Sequence, residues 1–232
     1  MKNQVAFSVR GRYALFSDPI TRVGGEKFSY LIPTYEALKG IACSIYWKPT
    51  FTWIIDKVRI MKTIRTESKS IKPLMYHGGS QLSIYTYLLD VKYQVLAHFE
   101  WNKHRTDMVE DRIDGKHFNV AQRMIERGGR RDIFLGTREC QGYIEPCNFL
   151  EGKGDYDSMD EKEMNFGLMF HGFDYPDTSG FSELTGRFWY PIMKNGVVKF
   201  IRPELCPIRE KKRAMLSKPP ISQGLLEEGL LV

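Results

Sequence analysis

The sequence predicts an α+β fold in two parts, on three observations. Apolar residues recur with the two-residue period of strands over most of the chain, and with the helical period over two segments. Those two segments interrupt strand-like ones in the order β-α-β-β-α-β through residue 147. A strand-only pattern then follows, carrying an Asn195-Gly196 hairpin signal and set off by the acidic stretch EGKGDYDSMDEKE at 151–163.

Each element has a local reason. Residues 4–16 alternate as a first strand, and SDPITRVGGEK supplies turn chemistry after it. In PTYEALKGIACSIYW (33–47), Pro33 and Thr34 signal a helix start, with Tyr35, Leu38, Ile41 or Ala42, and Ile45 at helical spacing. TFTWIIDKVRIMKTIRT (50–66) is β-branched and aromatic, a long strand or hairpin arm, and QLSIYTYLLDVKYQVLAHFEW (81–101) is its natural partner. HFNVAQRMIERGG (117–129) reads as a short amphipathic helix with Val120, Met124 and Ile125 inward, ended by Gly128 and Gly129. RRDIFLGTRECQGYIEP (130–146) returns as a strand. Residues 1–147 therefore read as a ferredoxin-like domain. NFGLMFHGFDYP and GRFWYPIMKNGVVKFIRPEL predict a small antiparallel β domain over 148–232, ending in SKPPISQGLLEEGLLV as a tail or docking segment.

Composition narrows the function classes. The chain has 232 residues, 42% hydrophobic and 27% charged, enough to bury a core and ordinary for a globular protein. No apolar run approaches the roughly 20 residues of a membrane span, and the N-terminus alternates too soon for a signal peptide, so a cytoplasmic location is expected. Cys43, Cys140, Cys147 and Cys206 lack metal-ligand spacing and are expected to be free thiols, although Cys140 and Cys147 could meet across a hairpin. No metal site is expected, and Asp155, Asp157 and Asp160 miss the spacing of a calcium loop.

The net charge of +6 suggests an anionic partner. Cations cluster at Lys57, Arg59, Lys62, Arg65, Lys69 and Lys72, and again between Lys199 and Lys218. Either run is a solvated strand face or a phosphate-tracking surface. No phosphate-binding P-loop, H-E-x-x-H, G-x-S-x-G or RNA-stacking aromatic motif is present.

What remains is acid–base chemistry on a phosphodiester without a cofactor. In DGKHFN (114–119), Lys116 and His117 follow Gly115, whose backbone freedom lets neighbours share a site. Histidine suits the proton transfers of RNA cleavage, and lysine the negative charge. A helix beginning near residue 117 would add backbone donors for phosphate, with Asp114 either capping it or pairing with Lys116. Tyr46, at the end of the first helix, offers a phenol to donate or orient a proton. His77 and His171 sit in turn or strand context with nothing around them that points to chemistry.

Two long segments, VAFSVRGRYALFSDPITRVGGEKFSYLIPTYEALKGIACSIYWKPTFTW at 5–53 and DGKHFNVAQRMIERGGRRDIFLGTRECQGYIEP at 114–146, resemble the CRISPR-associated Cas5d family of subtype I-C (Dvulg) systems. The similarity continues through GRFWYPIMKNGVVKFIRPEL, so it spans nearly the whole chain. It implies the RAMP superfamily, with a ferredoxin-like (RAMP/RRM-type) core and a small C-terminal β-sheet. It implies metal-independent cutting of precursor CRISPR RNA at the base of the repeat hairpin, leaving a 2′,3′-cyclic phosphate. The 5′ handle would then stay bound beside the other subunits of the type I-C interference complex. The family's catalytic tyrosine, lysine and histidine match Tyr46, Lys116 and His117. Lys57, Arg59, Arg130 and Arg131 are the RNA-binding candidates. Relatives in other type I subtypes are mostly non-catalytic, so a structural, handle-binding subunit is the alternative expectation.

Overall fold

The computed structural model describes residues 2–18, 26–74, 76, 78–157, 163–175 and 184–211. His77 and the segment 217–232, for which expectations were stated, lie outside the described residues. Strand β1 (Gln4–Ala14) is followed by a short β2 (Lys27–Phe28) and helix α1 (Tyr35–Ile45). The α1 start is capped as predicted, with Thr34 Oγ1 accepting from the Ala37 N–H at 3.2 Å. Its buried stripe is Tyr35, Leu38, Ile41, Ala42 and Ile45, the helical spacing read from sequence.

Strands β3 (Phe51–Ile60), β4 (Thr66–Ile71) and the 19-residue β5 (Ser83–Trp101) come next, then a 3-10 turn, Thr106–Asp111, and helix α2 (Lys116–Glu126). The long β5 has two jobs. Its C-terminal part lies between β1 and β3, and its N-terminal part pairs with β2 and β4. Near the changeover Asp90 takes a positive φ of 51°, and its carboxylate accepts from Lys62 at 2.5 Å.

The segment 130–146 is not one strand. It is a hairpin of β6 (Ile133–Phe134) and β7 (Gln141–Pro146), because the chain reverses after Gly136. Gly136 has φ +96°, and a Cβ there would lie 2.0 Å from the Leu15 carbonyl oxygen, so glycine is required. The neighbours β7-β1-β5-β3 are all antiparallel, with α1 over β3 and α2 over β7 and β1. This is the ferredoxin-like order.

Beyond residue 148 come β8 (Glu163–Asn165), β9 (Met169–Asp174), β10 (Thr185–Trp189), β11 (Ile192–Lys194), β12 (Val197–Lys199) and β13 (Ile208–Lys211). Asn195 and Gly196 have φ of 49° and 75°, the two positive values that a tight hairpin of this twist needs. The β11–β12 hairpin adds to the main sheet, with Val198 opposite Val58 of β3, and β8 closes that edge. Strands β13-β10-β9 make a separate three-stranded sheet. Pairing thus runs from the first part of the chain into the second. One apolar cluster spans both parts, since Trp189, Met193 and Val198 belong to the same buried core as Phe7, Ile55 and Leu88.

Candidate active site

Helix α1 ends at Tyr46, which turns extended at φ −160°, ψ 130°, and its carbonyl accepts from Trp53 Nε1 at 2.7 Å. That turn points the phenol inward. On the other side, β5 ends at Trp101, and the chain returns through the 3-10 turn to Gly115, which precedes α2 with φ +74°. The Asn102 N–H bonds the Thr50 carbonyl at 2.9 Å and fastens the returning chain to the α1–β3 connection. Gly115 caps α2 without a side-chain bond, and Asp114 neither caps the helix nor pairs with Lys116. This left-handed entry is a conformation that glycine adopts without the strain of a side chain.

Lys116 and His117 are the first two residues of α2 and point in different directions. Lys116 is exposed, whereas His117 is 1% exposed and ringed by Tyr46, Phe51, Phe99 and Trp101, with ring centroids 5.3 to 6.3 Å away. The buried stripe of α2 is therefore His117, Phe118, Ala121 and Ile125. Val120 and Met124, expected inward, are partly buried at its margin. The phase differs because the buried histidine behaves as a core residue, which a hydrophobic pattern does not count.

The three expected catalytic residues converge. Tyr46 Oη lies 2.9 Å from His117 Nδ1. His117 Nε2 lies 2.8 Å from the main-chain oxygen of Asp111 and 3.4 Å from its Oδ2. Lys116 Nζ donates to Asp111 Oδ1 at 2.5 Å, and Thr50 Oγ1 donates to Asp111 Oδ2 at 2.6 Å. Sequence reasoning missed Asp111 and Thr50. The available signal was a carboxylate five residues before Lys116 in DRIDGKH, but its partners arrive from another loop.

The charges follow from these contacts. The Lys116 hydrogen bond, then that of Thr50, hold the Asp111 carboxyl down at about 2, against burial. Burial pushes the Tyr46 phenol up, Asp111 adds to that, and the Arg130 charge opposes both. The site thus sets a phenol and an ionised carboxylate beside the Lys116 side chain and the enclosed His117 ring.

The four RNA-binding candidates fall in two places. The main-chain N–H groups of Arg130 and Arg131 both bond the Ser44 carbonyl, at 3.2 and 3.1 Å, which sets two exposed arginines beside the end of α1. Lys57 and Arg59 lie on β3 opposite Lys199 and Val197, roughly 20 Å or more along the strand from Phe51. Lys57 is half-buried. Arg59, expected on an RNA-facing surface, is 4% exposed. It donates to Gln94 Oε1, to the carbonyls of Glu151 and Gly152, and to Asp157 Oδ2 at 2.6 Å. Its job is to hold the 151–157 loop to the sheet. Other members of the basic runs are also paired: Lys62 and Arg65 with Asp90, Arg202 with Glu100, and Arg209 with Asp174.

All four cysteines are unpaired thiols. Among the described residues no three of His, Cys, Asp and Glu meet as a metal-binding group, and no helix is long and apolar enough to cross a membrane.

Residues 5–201 match the model of the CRISPR-associated protein family Cas5, in its Cas5d form. The chain belongs to the Cas5d family. A relative from Mannheimia succiniciproducens named CRISPR pre-crRNA endoribonuclease Cas5d is 28% identical over 228 residues, covering 85% of this chain and 95% of its own length. Another of that name, from Thermus thermophilus, is 30% identical over 172 residues, covering 70% and 72%. A crystal structure of a CRISPR-associated protein superposes with TM-score 0.75 at 35% identity, over 89% of this chain and 96% of that one. SMU1763c from Streptococcus mutans, a functionally uncharacterized protein, superposes at TM-score 0.73 and 37% identity with the same coverage. The α+β, RAMP-type fold expected from the Cas5d resemblance is the fold observed.

Proposed function

We propose that this chain is a metal-independent endoribonuclease that cuts CRISPR repeat RNA and stays on the 5′ handle within a type I-C interference complex. It would work with the other subunits of that complex in the cytoplasm. Membership in a family whose curated relatives are named pre-crRNA endoribonucleases supports the reaction class. The observation that carries the mechanism is the 2.9 Å Tyr46–His117 contact, with the far ring nitrogen on a carbonyl.

A carbonyl can only accept, so Nε2 carries the proton and Nδ1 presents its lone pair to the Tyr46 O–H. Tyr46 then passes its proton to Nδ1 while taking the proton of the attacking 2′-OH. The 2′-oxygen bonds to phosphorus as the bond to the 5′-oxygen breaks, giving a 2′,3′-cyclic phosphate. Lys116 neutralises the crowded phosphorane, and its N–H protonates the departing 5′-oxygen; solvent restores both groups. These side chains supply every proton and charge of the step, which is why no metal is invoked. Arg130 and Arg131 hold flanking phosphates beside Tyr46.

One observation favours a second reading, a non-catalytic handle-binding subunit. His117 is enclosed and both ring nitrogens are occupied, as in a core histidine. The deciding experiment incubates the protein, in EDTA and separately with magnesium, with repeat RNA alongside RNA carrying one 2′-deoxy at the cut site. Cleavage of the first alone is expected. Tight binding without cleavage of either would establish the structural subunit, and metal-dependent cutting of the deoxy strand would replace the mechanism altogether.

A further inference from the structure

We propose that Asp111 is the positioning residue of this site, with two separable functions. Its carbonyl fixes the His117 tautomer. Its carboxylate supports the imidazolium formed in the reaction and holds Lys116 until a phosphate arrives. The assignment deepens the endoribonuclease reading and rests on it.

The carbonyl stands at the last residue of the 3-10 turn Thr106–Asp111. Such a turn has weak internal bonding, so its end needs anchoring from outside. The side chain of the same residue provides the anchors, Thr50 Oγ1 at 2.6 Å on Oδ2 and Lys116 Nζ at 2.5 Å on Oδ1. Thr50 is itself buried and ties in the Asn102 N–H, so the brace is stiff. With the turn held, the 2.8 Å bond to Nε2 keeps the proton there and leaves Nδ1 open to Tyr46. When Nδ1 takes the tyrosine proton, a positive charge appears in an aromatic enclosure where water cannot solvate it. Oδ2, 3.4 Å from Nε2, is the negative charge placed to offset it.

The charged and titratable groups facing Asp111 are Lys116 and His117 from α2 and Tyr46 from the end of α1. Arg112, next in the chain, turns away to the carbonyls of Asn102 and Arg105. Lys116 is exposed, so an arriving phosphate can compete with the carboxylate for it; Asp111 then faces the imidazolium with its charge undivided.

The test compares wild type, Asp111→Asn, Asp111→Glu and Asp111→Ala on repeat RNA across pH. Asparagine keeps the size and the Thr50 contact but removes the charge. Its kcat falls about tenfold or more, as expected for one missing opposite charge at this range. Its KM stays level or drops because Lys116 is released, and the acid limb of its pH–rate profile moves to lower pH. Glutamate restores part of kcat. A merely structural brace would leave the asparagine profile in place. Nitrogen-15 NMR of histidine-labelled protein reads the tautomer without RNA: wild type and Asp111→Asn show Nε2–H, and Asp111→Ala loses that preference. If wild type cuts but asparagine matches it in kcat, KM and pH profile, the assignment falls while the nuclease reading stands. A wild-type Nδ1–H tautomer overturns the assignment whatever the cleavage. If wild type cuts nothing, the nuclease reading fails and takes the catalytic role with it.

Discussion

Two buried histidines, His117 on α2 and His171 on β9, show what separates the proposed relay from a core residue. Both are enclosed by rings, and both place Nε2 on a carbonyl: Asp111 at 2.8 Å, Ile201 at 3.0 Å. His171 stacks on Tyr35 at 4.1 Å with Trp189 and Phe200 around it. The difference lies at Nδ1. In His117 it meets the phenol of Tyr46, whereas in His171 it has no hydrogen-bond partner among the described residues. The charges differ as well. Asp111 sits beside His117, while burial and then Arg187 push His171 down to about 3. Burial is therefore common to both. A second nitrogen connected to a proton carrier, with a carboxylate behind the ring, is what sets His117 apart and what the proposed relay uses.

The largest expected effect breaks the comparison at its critical bond. Tyr46→Phe keeps the ring and removes the proton carrier, so cleavage drops by about 10²–10⁴-fold with repeat RNA affinity unchanged. His117→Ala loses cleavage to the same extent, and normal cutting by either variant, in single-turnover assays, sinks the relay. Removing the other ring has a thermodynamic cost instead. His171→Ala loses about 2–4 kcal/mol in urea unfolding because the space its ring fills is left empty, while its folded fraction cuts at the wild-type rate.

A pH titration sharpens the contrast. The folded His171 pKa lies below its unfolded value near 6.5, so the unfolded chain binds the extra proton in between. Stability from this residue is present above pH 6.5 and lost as pH falls toward about 3. His171→Phe should flatten that part of the urea midpoint curve; an unchanged slope would show that other groups dominate it. The smallest effect lies on the surface. Reversing Arg130 and Arg131 to Glu should weaken RNA binding more at 50 mM than at 200 mM salt, reducing the salt slope by about 1 for each phosphate left unneutralised. Affinity indifferent to both changes would put the RNA elsewhere.

Local sequence determined the helix α1, its cap and its buried face, because Thr34 and the apolar spacing act within a few residues. It also determined the Asn195-Gly196 turn, whose two positive φ values few other pairs accept. Motif pattern and family resemblance nominated Tyr46, Lys116 and His117, which the fold brings together around Asp111. Tertiary structure decided everything that depends on which chain segment lies opposite. It set the phase of α2, split 130–146 into a hairpin against Leu15, and joined β12 to β3 across the expected boundary. It turned Arg59 from a surface cation into the anchor of the 151–157 loop. Above all it brought Asp111 between Lys116, Thr50 and His117. Side-chain pairing at 2.5 to 3.4 Å across loops is a property of the packed chain, and no periodicity in the sequence encodes it.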